Sequence, residues 1–178
     1  AEYMENHDEI KCVVTLGGDG TNRAVAKAIK NTPIISVSTG TNNVYPIMLE
    51  GTIAGMAAAA AASGRFDENK FIAKDKRIEI YRDEKLIDIA LIDAVISKDV
   101  FIGSKAIWDM DTIEKIIVTG CHPASIGFSS LAGCRTIIYP EDDFGACVDI
   151  NLSIDKIKAP FAAGVVEHIS VGEPLILG

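Results

Sequence analysis

The hydrophobic pattern of residues 11–64 predicts strands and helices in alternation. Mostly apolar runs at Lys11–Leu16 and Pro33–Val37 predict two buried strands, and the β-branched residues of the second run are typical of parallel strands. Between these runs, apolar residues spaced as on one face of a helix predict a helix over Thr21–Lys30. Another helix is predicted at Ile53–Ala62, with Gly64 just after its end. The alternation indicates an α/β arrangement.

The pattern changes after about residue 65. The stretch KRIEIYRDEKLIDIALIDAVIS at residues 76–97 alternates around the charged segment Arg82–Lys85, which predicts antiparallel strands joined by a turn. Further strands are predicted at Glu114–Val118, Arg135–Tyr139 and Cys147–Ile154. We therefore expect an α/β domain at residues 1–50, and a helix followed by a β-rich domain at residues 51–178. The first domain is expected to be incomplete at its N-terminus, since the chain begins with Ala and only ten residues precede the first predicted strand.

Composition and charge narrow the classes of function. The chain has 178 residues, 48% of them hydrophobic, which excludes a disordered protein, and its net charge of −8 argues against non-specific binding to nucleic acid or an anionic membrane. No apolar run reaches the roughly 18 residues of a membrane span, and no signal peptide is recognised. The cysteines form no C-x-x-C pair and are predicted to be reduced thiols: Cys12, Cys121, Cys134 and Cys147. We expect a cytoplasmic homo-oligomer whose partners are small molecules.

A glycine-rich segment, GGDGT at residues 17–21, joins the first predicted strand to the first predicted helix. Gly-Gly and Asp-Gly are strong hairpin signals, but a helical pattern follows, with Thr21 or Asn22 expected as the N-cap. Glycines before a helix allow a phosphate to approach the free N–H groups at its N-terminus. The segment lacks the Gly-Lys-Ser/Thr of a Walker loop, and Arg23 stands where a dinucleotide fingerprint has its third glycine. A phosphate loop and a plain strand–helix turn remain the two interpretations.

A second polar segment, residues 38–43, follows the second predicted strand and contains Gly40, Thr41, Asn42 and Asn43. The carboxyl ends of parallel strands lie at the same edge of a sheet, which is where open α/β sheets bind ligands. Both polar segments are therefore expected at one edge. The amides of Asn42 and Asn43 are interpreted either as ligand contacts or as ordinary turn formers.

Four motifs, in this order along the chain, resemble those of the superfamily that contains the NAD kinases and the diacylglycerol kinases. They are GGDGT at 17–21, GTNN at 40–43, ALIDAVI at 90–96 and PASIGFSSLAG at 123–133. The combination is most similar to the NAD kinase-like branch known as acetoin catabolism protein X. The resemblance covers residues 11–135.

The resemblance implies an α/β domain, partly Rossmann-like, followed by a β-sandwich domain, with the active site in a cleft between them. The implied activity is transfer of phosphate from ATP, with Mg²⁺, to a hydroxyl of NAD or a related small molecule. Asp19 is the implied catalytic residue, as a base or as the organiser of Mg²⁺. The implied nucleotide-binding residues are Gly17, Gly18, Gly20, Thr21, Gly40, Thr41, Asn42, Asn43, Asp93 and Ser125.

Two departures from the family pattern affect the expected NAD site. NAD kinases have an Asn followed by an acidic residue where this chain has Ile92 and Asp93. The third segment has Pro123-Ala124 in place of Thr-Gly, although the hydroxyls of Ser125, Ser129 and Ser130 are present. Asp93 is interpreted as facing the cleft or, like Asp88, as a solvent-facing residue of an alternating strand.

The departures leave three functions open. The first is an NAD kinase-like phosphotransferase. The second is a non-catalytic protein that senses NAD or ATP in acetoin or central carbon metabolism. A lipid kinase is disfavoured by the acidic charge and by the lack of a basic amphipathic stretch.

Overall fold

The computed structural model describes residues 1–41, 43–99, 110–150, 156–162 and 164–178. The chain divides into two compact units, which we name unit 1, Ala1–Asp75 with Ile80–Leu91, and unit 2, Lys76–Glu79 with Ile92–Gly178. In this division the helix after residue 50 belongs to unit 1, whereas the sequence prediction placed it at the start of the second domain. The described helices include none that is long and apolar enough to cross a membrane.

Unit 1 contains a parallel pair of strands with helices. Its first elements are α1 (Glu2–Glu5), β1 (Val13–Gly17), α2 (Asp19–Ala26), β2 (Ile34–Ser38), α3 (Gly51–Ser63) and α4 (Glu68–Phe71). β1 and β2 pair in parallel, with Gly17 opposite Ser38. Both strands therefore end at the same edge of the sheet, as predicted.

The helix after the glycine segment begins earlier than predicted. Gly18 is its N-cap, and Asp19 and Gly20 form part of its first turn, so the expectation of Thr21 or Asn22 as the cap is wrong. An acidic residue in the first turn interacts favourably with the helix dipole, which helps the helix to begin at Asp19. The helix also ends at Ala26, before the predicted end at Lys30.

The predicted helix at Ile53–Ala62 is confirmed as the core of α3. The Glu50 side chain caps its N-terminus by accepting hydrogen bonds from the N–H groups of Thr52 (2.8 Å) and Ile53 (3.3 Å). Gly64 ends the helix with φ of 63°, a left-handed conformation that glycine adopts without a steric penalty.

The predicted hairpin near residue 83 is also confirmed. β3 (Ile78–Arg82) and β4 (Lys85–Ala90) form a two-stranded sheet. The two turn residues, Asp83 and Glu84, both have positive φ, at 50° and 62°. Two consecutive residues with positive φ are the geometry that best fits the twist of a two-residue hairpin.

Unit 2 is rich in β-structure. After residue 91 the elements are β5 (Asp93–Ser97), β6 (Ile113–Val118), α5 (Phe128–Gly133), β7 (Gly145–Asp149), β8 (Lys156–Ala162), β9 (Val165–Ser170) and β10 (Leu175–Leu177). Four strands form an antiparallel sheet in the order β10-β7-β6-β5, and β8 pairs with β9. The sheet, the β8–β9 pair and α5 share one core, in which Ile116, Leu131 and Val148 are fully buried. An α/β unit followed by a β-rich unit confirms the predicted fold class.

Two strand predictions need correction. Arg135–Tyr139 is not a strand: its described backbone makes a single bridge, between Ile138 and Cys121. The strand expected at Cys147–Ile154 begins at Gly145 and ends at Asp149, and residues 151–155 lie outside the described part of the chain. None of the four cysteines forms a disulfide, and burial raises the pKa of each thiol.

Candidate functional site

The N-terminus of α2 lies directly after β1 and has no side-chain cap among the described residues. Gly18, the N-cap residue, has extended backbone angles and no side chain that could accept a hydrogen bond from the first turn. An uncapped first turn presents free N–H groups and a partial positive charge, which together suit an anion. A Cβ atom added to Gly20 would meet no heavy atom within 4 Å, so the backbone at Gly20 is open to close approach.

The other two glycines of the segment pack against the protein itself. A Cβ atom on Gly17 would lie 2.5 Å from Thr21 Oγ1, and one on Gly18 would lie 2.5 Å from Asn43 Oδ1. Side chains at these positions would therefore clash with unit 1. Packing within unit 1 explains why these two positions have no side chain. Contact of Gly17, Gly18 and Thr21 with a nucleotide stays a prediction.

A buried amide that the sequence analysis did not assign to the site supports the glycine segment from inside. Asn22 is 2% exposed, and its Oδ1 accepts a hydrogen bond from the buried Thr15 hydroxyl at 2.5 Å. Its Nδ2 donates to the Gly18 carbonyl at 2.9 Å, and its backbone N–H donates to the same carbonyl at 3.2 Å. Burial alternates strictly along β1, but the run Cys12–Leu16 does not alternate in the sequence, so neither the inward direction of Thr15 nor its partner could be identified from sequence.

The second polar segment is folded around the buried side chain of Ser38. The Ser38 hydroxyl donates to the Gly40 carbonyl at 2.8 Å and accepts from Asn43 Nδ2, also at 2.8 Å. Asn43 is thus a turn-forming residue that also touches Gly18, and a ligand contact from its amide stays a prediction. Thr41 is exposed, and Asn42 lies outside the described residues.

Asp19 joins the two segments. Its Oδ1 accepts hydrogen bonds from the backbone N–H groups of Tyr45 (2.8 Å) and Val44 (3.1 Å), and its Oδ2 is also 3.1 Å from the Val44 nitrogen. The Tyr45 hydroxyl in turn donates to Asp75 at 2.7 Å. Burial is the largest cause that raises the pKa of Tyr45, and the Asp75 carboxylate raises it further. The half-buried Asp19 side chain therefore has a structural role in unit 1, independent of any catalytic role.

Asp88 is not a plain solvent-facing strand residue, which corrects the expectation for it. It forms ion pairs with Arg23 and with Lys27, the latter at 2.7 Å, and Arg23 Nε donates to the Ile89 carbonyl at 2.6 Å. The Lys27 ammonium lowers the pKa of the Asp88 carboxyl, and Arg23 acts in the same direction. These contacts anchor α2 on β4.

The remaining candidates lie in unit 2. Asp93 begins β5 opposite Val118, and the Ile92 carbonyl before it accepts hydrogen bonds from the N–H (2.9 Å) and hydroxyl (3.1 Å) of Thr119. Ser125 is half-buried in a turn, where its N–H donates to the His122 carbonyl at 2.9 Å. Whether Asp93 and Ser125 contact a nucleotide stays a prediction.

The later serines of the third segment lie in the interior of unit 2. Ser129 and Ser130 are buried in α5. The Ser130 hydroxyl lies within hydrogen-bond distance of two carbonyl acceptors of unit 2, those of Gly127 and Pro160. Among the described residues, Ser129 Oγ is buried without a hydrogen-bond partner.

The described residues contain no group of three or more His, Cys, Asp or Glu that could hold a metal ion by itself. Mg²⁺ in nucleotide sites is often bound by one or two carboxylates, the remaining ligands being waters and substrate phosphates. A single carboxylate at Asp19 fits that kind of site.

Comparison with known families gives one match for each half of the chain. Residues 76–178 match the model of the acetoin catabolism protein X C-terminal domain, and residues 2–66 match that of the ATP-NAD kinase N-terminal domain. The chain belongs to the acetoin catabolism protein X family. It is 41% identical over 169 residues to acetoin catabolism protein X of Cupriavidus necator, an alignment that covers 91% of this chain and 47% of that protein. The chain thus spans about half the length of this relative, and no solved structure matches it.

Proposed function

We propose that this chain is an NAD kinase-like phosphotransferase that moves the γ-phosphoryl group of ATP to a hydroxyl of NAD or of a related small molecule. The observation that carries the proposal is the uncapped N-terminus of α2, with Gly20 open and Asp19 in its first turn, at the carboxyl edge of two parallel strands. The match of residues 2–66 to an ATP-NAD kinase domain supports the same assignment.

The chemistry asks for positioning and charge stabilisation more than for covalent catalysis. The acceptor hydroxyl oxygen forms a bond to the γ-phosphorus, the bond from that phosphorus to the β–γ bridging oxygen breaks, and ADP leaves. The first-turn N–H groups of α2 would stabilise the negative charge of the phosphates. Asp19 would accept the hydroxyl proton or hold Mg²⁺, which would neutralise phosphate charge when bound.

A second candidate function is nucleotide sensing without turnover. Two observations favour it: the Asp19 carboxylate is engaged by the Val44 and Tyr45 N–H groups, and Ile92 replaces the amide that NAD kinases have beside the acidic residue. Either feature would allow a nucleotide to bind while slowing transfer. In this alternative the family's link to acetoin metabolism would be regulatory.

Incubation of the chain with ATP, Mg²⁺ and NAD, with ADP and phosphorylated NAD measured separately, tests the proposal. We expect ADP and phosphorylated NAD in equal amounts, and formation of both slower by about 10²-fold or more with Asp19→Asn. ADP without phosphorylated NAD would point to another acceptor, to be sought among small hydroxyl compounds. Nucleotide binding without any ADP would favour the sensing function.

A further inference from the structure

The Gly18–Asp19 peptide is held in place by two linked side-chain hydrogen bonds, the first of which starts on β1. The Thr15 hydroxyl donates to Asn22 Oδ1, and Asn22 Nδ2 donates to the Gly18 carbonyl. The side chains of Thr15 and Asn22 lie in the interior of unit 1, at 4% and 2% exposure, and Gly18 is half-buried. A buried amide without its partners would be costly, so the arrangement is strongly determined.

The orientation of that peptide decides where the first helical N–H points. A trans peptide is planar, with its C=O and N–H on opposite sides, so a carbonyl of Gly18 directed inward to Asn22 directs the Asp19 N–H away from it. The Asp19 N–H is the first of the uncapped donors of α2. The Asn22 backbone N–H donates to the same carbonyl, so the side-chain bond is a second constraint on one peptide.

We propose that Asn22, held by Thr15, is a positioning residue that orients the N-terminal N–H groups of α2 toward a bound phosphate. The inference rests on the proposed function, because it specifies how the same loop binds the nucleotide. Asn22 does not touch the phosphate itself, and it acts through Gly18 and Asp19.

The test compares three substitutions within these hydrogen bonds with one control substitution beside them. Thr15→Val removes the hydroxyl with little change of shape, Thr15→Ser keeps the donor, and Asn22→Asp keeps the acceptor for Thr15 while replacing the donor to Gly18. Ser36, the register partner of Thr15 on β2, provides the matched control Ser36→Ala. The readouts are the dissociation constants for ATP and for adenosine, which has no phosphates.

We expect Thr15→Val and Asn22→Asp to weaken ATP binding by about tenfold, the order of one hydrogen bond, while adenosine binding is unchanged. Thr15→Ser should restore ATP binding, and Ser36→Ala should not alter it. Unchanged ATP binding in Thr15→Val would overturn the inference. Equal losses for ATP and adenosine, or equal losses in the Ser and Val variants, would also overturn it, because both would indicate a packing role.

A second measurement separates this inference from the proposed function. If the wild-type chain does not bind ATP, the proposed function fails, and the orientation of the loop is then read from the amide NMR signals and hydrogen exchange of Asp19 and Gly20. We expect Thr15→Val to shift these signals and speed their exchange, while those of Gly55 in α3 stay the same. No change at Asp19 and Gly20 would show that the buried amide does not position them.

Discussion

The carboxylate of Asp19 accepts a 2.8 Å hydrogen bond from the backbone N–H of Tyr45, 26 residues further along the chain. With the bond from Val44, this contact ties the first turn of α2 to the segment that follows β2. The residue expected to take part in catalysis is therefore also a structural link. A substitution at Asp19 will act on both roles, and they have to be measured separately.

Asp19→Asn should lower kcat for ADP formation by about 10²-fold or more, because an amide is a poor base and a poor ligand for Mg²⁺. It should also lower the free energy of unfolding by about 1 kcal/mol, since one charge-assisted acceptor is replaced by a neutral one. Steady-state kinetics and thermal unfolding measure the two effects. Asp8→Asn, at an exposed carboxylate, is the control. Wild-type turnover in Asp19→Asn would rule out the catalytic role.

The three glycines of the loop should differ in their tolerance of alanine. Gly17→Ala should destabilise most, because the new Cβ would lie 2.7 Å from the Cβ of Thr21, which cannot rotate away. Gly18→Ala should cost about 1 kcal/mol, since Asn43 must move and lose its bond to Ser38. Gly20→Ala should stabilise α2 by about 0.5–1 kcal/mol. Urea unfolding of the three variants gives the order, and a destabilised Gly20→Ala would contradict the open space at that position.

Asp88 should make unit 1 sensitive to acid. Its pKa is lowered in the folded chain first by Lys27 and then by the Ile89 N–H and Arg23, so its contribution to stability is present above the ordinary pKa of 3.8 and is lost as the pH falls through the lower folded value. Asp88→Asn should destabilise by about 0.2–1 kcal/mol at pH 7, as partly exposed pairs do, and by nothing once the pH is well below 3.8. Unfolding measured from pH 7 to pH 2.5 tests this.

The variant Lys27→Gln provides the control for Asp88. It removes the partner that is the largest single cause of the lowered pKa, so the double variant Lys27→Gln/Asp88→Asn should be less destabilised than the sum of the two single changes. Strict additivity at pH 7 would mean that the ion pair does not stabilise the packing of α2 on β4.

Asp93→Ala should weaken binding of NAD by about tenfold or more while ATP binding stays nearly unchanged. A carboxylate can accept two hydrogen bonds from a ribose diol, each worth about 1.5–3 kcal/mol. Ile92→Asn should strengthen NAD binding, because it restores the amide of the family pattern, and the backbone bonds of Ile92 to Thr119 do not depend on its side chain. Titrations of NAD and of ATP into both variants measure these affinities. Equal losses of NAD and ATP in Asp93→Ala would indicate that Asp93 supports the fold.

Local features of the sequence predicted the frame of the candidate site. The apolar runs, the helical spacing after Thr21 and the glycines between them were sufficient to predict that β1, α2 and β2 exist and that the strands end at a common edge, but not where α2 begins and ends. The contacts that organise this edge could not be predicted in the same way. The tertiary fold brings Thr15 to Asn22 and Asp19 to Tyr45, whereas the sequence contains many polar residues of similar type that could have been their partners.

The wrong strand at Arg135–Tyr139 has a related cause. Its β-branched residues fit a pleated surface, but strand propensity requires neighbouring strands to pair with. Here the segment follows α5 closely, and Arg135 Nε instead donates to the Val171 carbonyl at 2.8 Å. The strands β8, β9 and β10 were missed, and in β8 the proline Pro160 interrupts a pattern that otherwise alternates.

The most direct test of the central claim is a calorimetric titration of Mg-ATP into the wild-type chain, Gly20→Val and Gly55→Val. Gly20 and Gly55 are both exposed helical glycines at which a Cβ would meet nothing within 4 Å, so the two substitutions differ only in their place. If phosphate binds at the N-terminus of α2, Gly20→Val should weaken ATP binding by about tenfold or more, because its side chain blocks the N–H groups, and Gly55→Val should bind as the wild type does. Equal ATP affinity in all three proteins would contradict the claim and leave the glycine segment as a strand–helix turn.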